Sequence, residues 1–158
     1  ITFFVQRVYL IMWITVFTTV FTGVIVYVLG QIIVKCALDP YISFKEHLGK
    51  ISSLLLREQS KIMNFKANAE LINELKLSAG LLIAKSKAIP CYKHFSKIGL
   101  LPVYNDVIDA SHHLNLIASR LEECGSTYPN SKSSLSQGDS VYTSVKVIGE
   151  KLDIVVRY

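Results

Sequence analysis

From Val8 through Val34 the chain carries no Asp, Glu, Lys, Arg or His. At ~1.5 Å per residue a helix of that length reaches roughly 40 Å, more than the ~30 Å of hydrocarbon in a bilayer. A helix that is apolar on every side must be covered by something. A chain of 158 residues has too little left over to surround one this long. Residues 1–38 are therefore expected to be a transmembrane helix with its flank, crossing the bilayer once. A cleavable signal peptide fits less well, because its apolar core is only about 7 to 15 residues long and ends at a small-x-small site, and neither holds here. Trp13 near one end and Tyr27 near the other loosely resemble an aromatic belt.

Charge is partitioned in the same way. Arg7 is the only charged residue before Lys35, so nearly all of the net +5 belongs to the residues after the apolar run. Lys35, Lys45, Lys50, Arg57 and Lys61 come soon after the span. The positive-inside rule then puts the C-terminal part in the cytoplasm of a cell bounded by this inner membrane, with Lys35, Lys45 and Lys50 as basic residues at the interface. The chain begins with Ile rather than Met, so residues ahead of Ile1 are expected, and several basic ones there would reverse this orientation. A pI near 9.1 suggests nucleic acid at first sight. Glu58, Glu70, Glu74, Asp106, Asp109, Glu122 and Glu123 are interleaved with the bases, however, so attraction to anionic lipid fits better than nucleic acid as a partner. Cys36, Cys91 and Cys124 are odd in number and widely spaced, which signals neither a disulfide framework nor a zinc site and suits a reducing compartment.

Inside the span, Thr15, Thr18 and Thr22, with Thr19 and Gly23 one residue on, make a stripe of small residues at helical spacing. Another membrane helix can approach closely along such a stripe. The plainer reading is that each threonine bonds the carbonyl four residues before it.

After the span the periodicity is helical, and 39–124 is expected to be a cytoplasmic helical bundle. Asp39-Pro40 should close the membrane helix with a bend, since proline disfavours helical geometry in the residue before it. Phe44, Leu48, Ile51, Leu55 and Ile62 predict a helix over about 43–63. Leu71, Leu75, Ser78 and Leu82, widened by Ile72, Ala79 and Ile83, predict one over 67–88 that Pro90 stops. A short helical piece over 91–97 ends at Gly99. Val107, Ala110, Leu114, Ile117 and Leu121 predict a long helix over 105–123 with Gly125 as its C-cap. Residues 125–140 are rich in turn formers and read as a mobile loop. Over 141–158, Val141, Val145, Ile148, Leu152 and Val155 share a face, with Lys146 and Glu150 placed to pair; a closing helix packed on the bundle is the preferred reading, and a strand the alternative. The expected class is all-α: one N-terminal transmembrane helix followed by a small antiparallel helical bundle.

Few residues of the chain carry a signature of catalysis or metal binding. His47, His94, His112 and His113 lack metal-binding spacing, and there is no Gly-rich phosphate loop or GxSxG elbow. His112 and His113, beside Asp109, are read as surface or boundary residues able to respond to pH. Cys91 and His94 stand three apart but lack an orienting group and an oxyanion site. Tyr92, Lys93, His94 and Lys97, with Phe95, form a small basic-aromatic patch that can meet a partner or lipid headgroups; a solvated turn with its aromatics in the core is the alternative. No cofactor, metal or catalytic residue is expected.

Asp39-Pro40 with Phe44, Gly49 and Ile51, then Ala88-Ile89-Pro90 with Tyr92, then Gly99, Leu100 and Pro102, and Ala110-Ser111 with Leu114 run in an order that resembles uncharacterised bacterial single-span membrane proteins with a helical cytoplasmic domain. The likeness covers roughly residues 5 to 122; Asp39 and Lys50 stand where that family has glutamate. It implies the architecture and brings no activity. The function expected is that of a non-enzymatic interaction protein, binding a partner or assembling with itself at the bilayer. The alternatives are a membrane-perturbing effector of a phage-defence or toxin–antitoxin system, and an accessory subunit of a larger membrane complex.

Overall fold

A computed structural model describes residues 2–126 and 134–156 of the chain. The described chain is helical, with no strand among the described residues. Seven α-helices succeed one another: α1 Thr2–Ile33, α2 Asp39–Arg57, α3 Gln59–Met63, α4 Ala69–Ala88, α5 Tyr92–Lys97, α6 Tyr104–Ser126 and α7 Ser134–Leu152. Two compact units divide the chain, Ile1–Asp39 and Pro40–Tyr158.

Helix α1 is long and apolar, and its large side chains lie open, with Trp13 74% and Phe17 72% exposed. Among the described residues one helix is long and apolar enough to cross a membrane, and it lies near the N-terminus.

The expected end of this helix at Asp39-Pro40 is not found. Asp39 keeps helical angles of φ −59° and ψ −49° despite the proline after it. The cost is met one turn earlier. Pro40 has no N–H to offer the carbonyl four residues back and its ring crowds that carbonyl, so the ladder must open there. It opens as a π-turn over Val34–Leu38, in which the Asp39 N–H donates to the Val34 carbonyl.

Pro40–Tyr158 gathers the apolar faces of its helices into one core. Helix α6 is central to it, packing against α4 and α7. Val107, Ala110, Leu114 and Ile117 are wholly buried on it, as the spacing requires. Phe44, Ile51 and Leu55 bring α2 to the core, and Leu75, Ala79 and Leu82 bring α4. Polar groups also join the helices: the buried Ser111 hydroxyl donates to the Ala79 carbonyl at 3.0 Å, and the half-buried Lys85 ammonium donates to Ser43 Oγ at 2.7 Å.

Helix boundaries differ from the expected ones where side chains act locally. The helix expected over 43–63 is broken at Glu58, whose angles are φ −98° and ψ 10°. Its carboxylate is clasped by Lys61 at 2.6 Å and Arg57 at 2.9 Å. The Asn68 side chain caps α4 by accepting the Leu71 N–H at 3.1 Å. Helix α6 runs through Gly125 to Ser126, so Gly125 is not its C-cap, and α7 already begins at Ser134 within the stretch read as a loop. The remainder of that loop, 127–133, lies outside the described residues.

The largest correction is at the C-terminal end. Helix α7 stops at Leu152, Asp153 takes φ 53°, and the Ile154 N–H turns back to the Gly149 carbonyl at 3.1 Å. That turn changes which valine faces inward: Val155 is 63% exposed and Val156 only 6%. Gly149 makes room for the turn, since a Cβ there would stand 2.6 Å from Val156 Cγ2.

Candidate functional site

On α1 the threonine hydroxyls are turned back onto their own helix. Thr15 donates to the Ile11 carbonyl at 2.8 Å, Thr18 to Ile14 at 2.7 Å, Thr19 to Thr15 at 2.8 Å and Thr22 to Thr18 at 2.8 Å. Each hydroxyl proton is thereby satisfied without water or a second helix. A shallow groove of about 450 Å³ results, lined by Thr18, Thr19, Thr22, Gly23 and Val26. Thr15 lies outside this lining, and a Cβ on Gly23 would meet nothing within 4 Å.

The three lysines expected at an interface are all exposed: Lys35 in the π-turn, Lys45 and Lys50 on α2. Lys50 has company of both signs. It lines a depression of about 430 Å³ with Glu46, Gly49, Ser53, Leu54, Arg57 and Glu74, where Arg57 and Glu74 approach to 3.7 Å. Such a surface carries no net preference for an anion.

The basic-aromatic patch separates into two layers. Tyr92 is withdrawn from it, 9% exposed, with its hydroxyl donating to the Pro102 carbonyl at 2.8 Å. Burial, with Tyr104 and Asp106 adding to it, pushes the Tyr92 phenol up to about 12. Its ring meets Phe44 and Tyr104 edge to face, with centroids 6.3 and 5.8 Å away. Phe95 is half-buried and stacks on Tyr41 at 6.2 Å. Lys93, His94 and Lys97 remain outside, exposed. Tyr92 thus lies beneath the exposed basic residues of the patch. Reading the sequence missed Lys87, which is also exposed; the signal was that no Asp or Glu occurs between Glu74 and Asp106.

The histidines divide by environment. His47 is 4% exposed on α2, and its Nε2 lies 3.0 Å from the Ser78 carbonyl of α4. Burial lowers its pKa, the bond to Ser78 opposes this, and the charges of Lys85 and Lys50 lower it further. His113 Nδ1 lies 3.2 Å from Ser144 Oγ, and burial lowers this pKa too, with His112 adding to the effect. Cys91 and His94 are both exposed, and among the described residues no group of three or more His, Cys, Asp or Glu is placed to hold a metal ion.

The lowered His47 pKa has a definite sign for stability. The unfolded chain takes up a proton near pH 6.5 while the fold resists it. The stabilisation is full above pH 6.5 and is lost as pH falls from there toward the lower native value. We expect the thermal midpoint to drop between pH 8 and pH 5.5, and His47→Gln to flatten that slope, leaving the share from His113. Superimposable profiles for the two proteins would refute the assignment.

No protein-family model matches the chain, and neither a curated protein nor a solved structure matches it.

Proposed function

We propose that this protein is a membrane-anchored helical interaction protein, which binds a partner or a second copy of itself at the bilayer. The observation that carries the reading is the bareness of α1: none of its most apolar stretch is buried, the opposite of a core helix. Exposed on this scale, an apolar surface requires lipid around it, and the absence of charge from Val8 to Val34 permits that. The helix crosses once, in the inner membrane of a bacterium, with its small-residue groove available to a second span. The basic excess after Val34 holds the remainder on the cytoplasmic side. There the helices form an antiparallel bundle, a reading supported by the order of pairing between α6 and α7: Asp106 with Lys151, and His113 with Ser144. No enzymatic activity belongs to this reading.

Alkaline carbonate washing followed by thiol labelling tests it. The chain should stay in the pellet, and Cys91, which is exposed, should react with a membrane-impermeant maleimide only after the cells are opened. Mild detergent should then release a homo-oligomer or a stoichiometric complex. A chain that washes into solution as a stable monomer overturns the proposal, and labelling of Cys91 in intact cells overturns the orientation.

A further inference from the structure

The turn between α5 and α6 presents apolar side chains outward by construction. Gly99 takes φ 79°, its N–H donates to the Ser96 carbonyl at 3.1 Å, and the Leu100 N–H donates to the Phe95 carbonyl at 3.1 Å. The bond from Tyr92 to the Pro102 carbonyl pins the far side of the turn. Leu101 alone points inward, 4% exposed, while Ile98, Leu100 and Val103 stand 73%, 44% and 55% exposed. Three large aliphatics held in water by a pinned turn need a partner more than they need solvent.

The sequence leading into this turn is basic. Lys87, Lys93, His94 and Lys97 are exposed beside this turn in the sequence, and no carboxylate occurs between Glu74 and Asp106. Asp106, the first acid beyond, is already held by Lys151 at 2.5 Å. Tyr41, the second residue of the C-terminal unit, stacks on Phe95 of α5, so the first residues of this unit lie at this same end of it.

We infer that the end of the C-terminal unit formed by Lys87, Lys93, Lys97 and the aliphatic tip Ile98, Leu100 and Val103 docks on an anionic lipid surface. A membrane interface accepts both features at once: the aliphatics enter the headgroup boundary and the ammonium groups meet lipid phosphates. A nucleic acid would use the lysines and leave the tip in water. The inference rests on the anchoring of α1 proposed above.

The full chain in lipid nanodiscs provides the test. Trp13 is the chain's single tryptophan, so Trp13→Phe with Ile98→Trp creates one reporter at the tip. Val103→Trp gives a second reporter, and Leu77→Trp, at a residue 63% exposed on α4, a control away from the turn. Discs containing phosphatidylglycerol should shift the emission of the tip reporters to the blue and shield them from acrylamide, whereas phosphatidylcholine discs and detergent should not. About 1 M salt, where the screening length is about 3 Å, should remove the shielding. Each Lys→Glu change at Lys87, Lys93 or Lys97 should weaken docking roughly fivefold. Tip reporters equally open to acrylamide in both kinds of disc would sink the inference, as would shielding that persists in detergent, which marks a protein contact. Alkaline washing separates the two proposals: a chain lost from the discs refutes the anchor, and a retained chain with open reporters refutes the docking alone.

Discussion

Arginine at both Phe17 and Val24 is expected to abolish retention of the chain in alkali-washed membranes. Each charge near the bilayer centre costs about 2.5 to 3.5 kcal/mol on insertion scales, so the pair costs about 5 to 7 kcal/mol. Each apolar residue of the span contributes only about 0.3 to 0.6 kcal/mol in the other direction. The double variant therefore removes most of what holds α1 in lipid. Phe17 and Val24 are 72% and 55% exposed, so no packed core is damaged by the change. Phe17→Leu with Val24→Leu should stay in the pellet. If the double arginine chain pellets as fully as the original, the span is elsewhere or α1 is covered by protein.

Phe44→Ala should be the most damaging single truncation in the C-terminal unit. Phe44 is wholly buried, and its ring meets Tyr92 edge to face at 6.3 Å and 89°. Removing it takes away the apolar contact and leaves a cavity, which for phenylalanine costs about 3 to 5 kcal/mol. Domains of this size are stable by about 5 to 15 kcal/mol, so a fifth or more of the total is at stake. Urea unfolding followed by near-ultraviolet circular dichroism reads the tertiary packing of this unit without the helical signal of α1. The midpoint should fall far, whereas Leu77→Ala, at an exposed position, should move stability by no more than about 0.5 kcal/mol. Equal shifts for the two variants would show that α2 does not anchor the core as described. The loss should also loosen the platform under Lys93 and Lys97, because Tyr92 rests on Phe44.

How far the sequence could be read depended on the range of the interaction. The faces of α4 and α6 were legible because burial repeats with the turn of the helix, and Leu75, Ala79, Leu82, Val107, Leu114 and Ile117 all lie inside. The basic-aromatic patch was legible as a cluster of residue types, but not as two layers. Nothing in the local order of Tyr92, Lys93, His94 and Phe95 says that the first is held beneath the surface by a carbonyl ten residues on. Asn68 was within reach, being an asparagine just ahead of an apolar-periodic run, a common helix-start signal.

Misreadings arose where a local rule met a compensating neighbour. Asp39-Pro40 carries a helix-ending signal, yet the π-turn at Val34–Leu38 absorbs the missing donor and the helical angles persist. Val155 continues the stripe of α7 in register, yet the turn at Asp153 hands its place to Val156.

The sequence by itself determined that the chain is helical and that one long N-terminal segment carries no charge. Both come from side-chain chemistry repeated at a fixed spacing, which acts residue by residue. Only the tertiary structure decided that Tyr92 turns inward, that His47 meets the Ser78 carbonyl and that Ile98, Leu100 and Val103 are left facing out. Those outcomes depend on which distant groups compete for the same buried space and the same donor, and that competition exists only once the helices have packed.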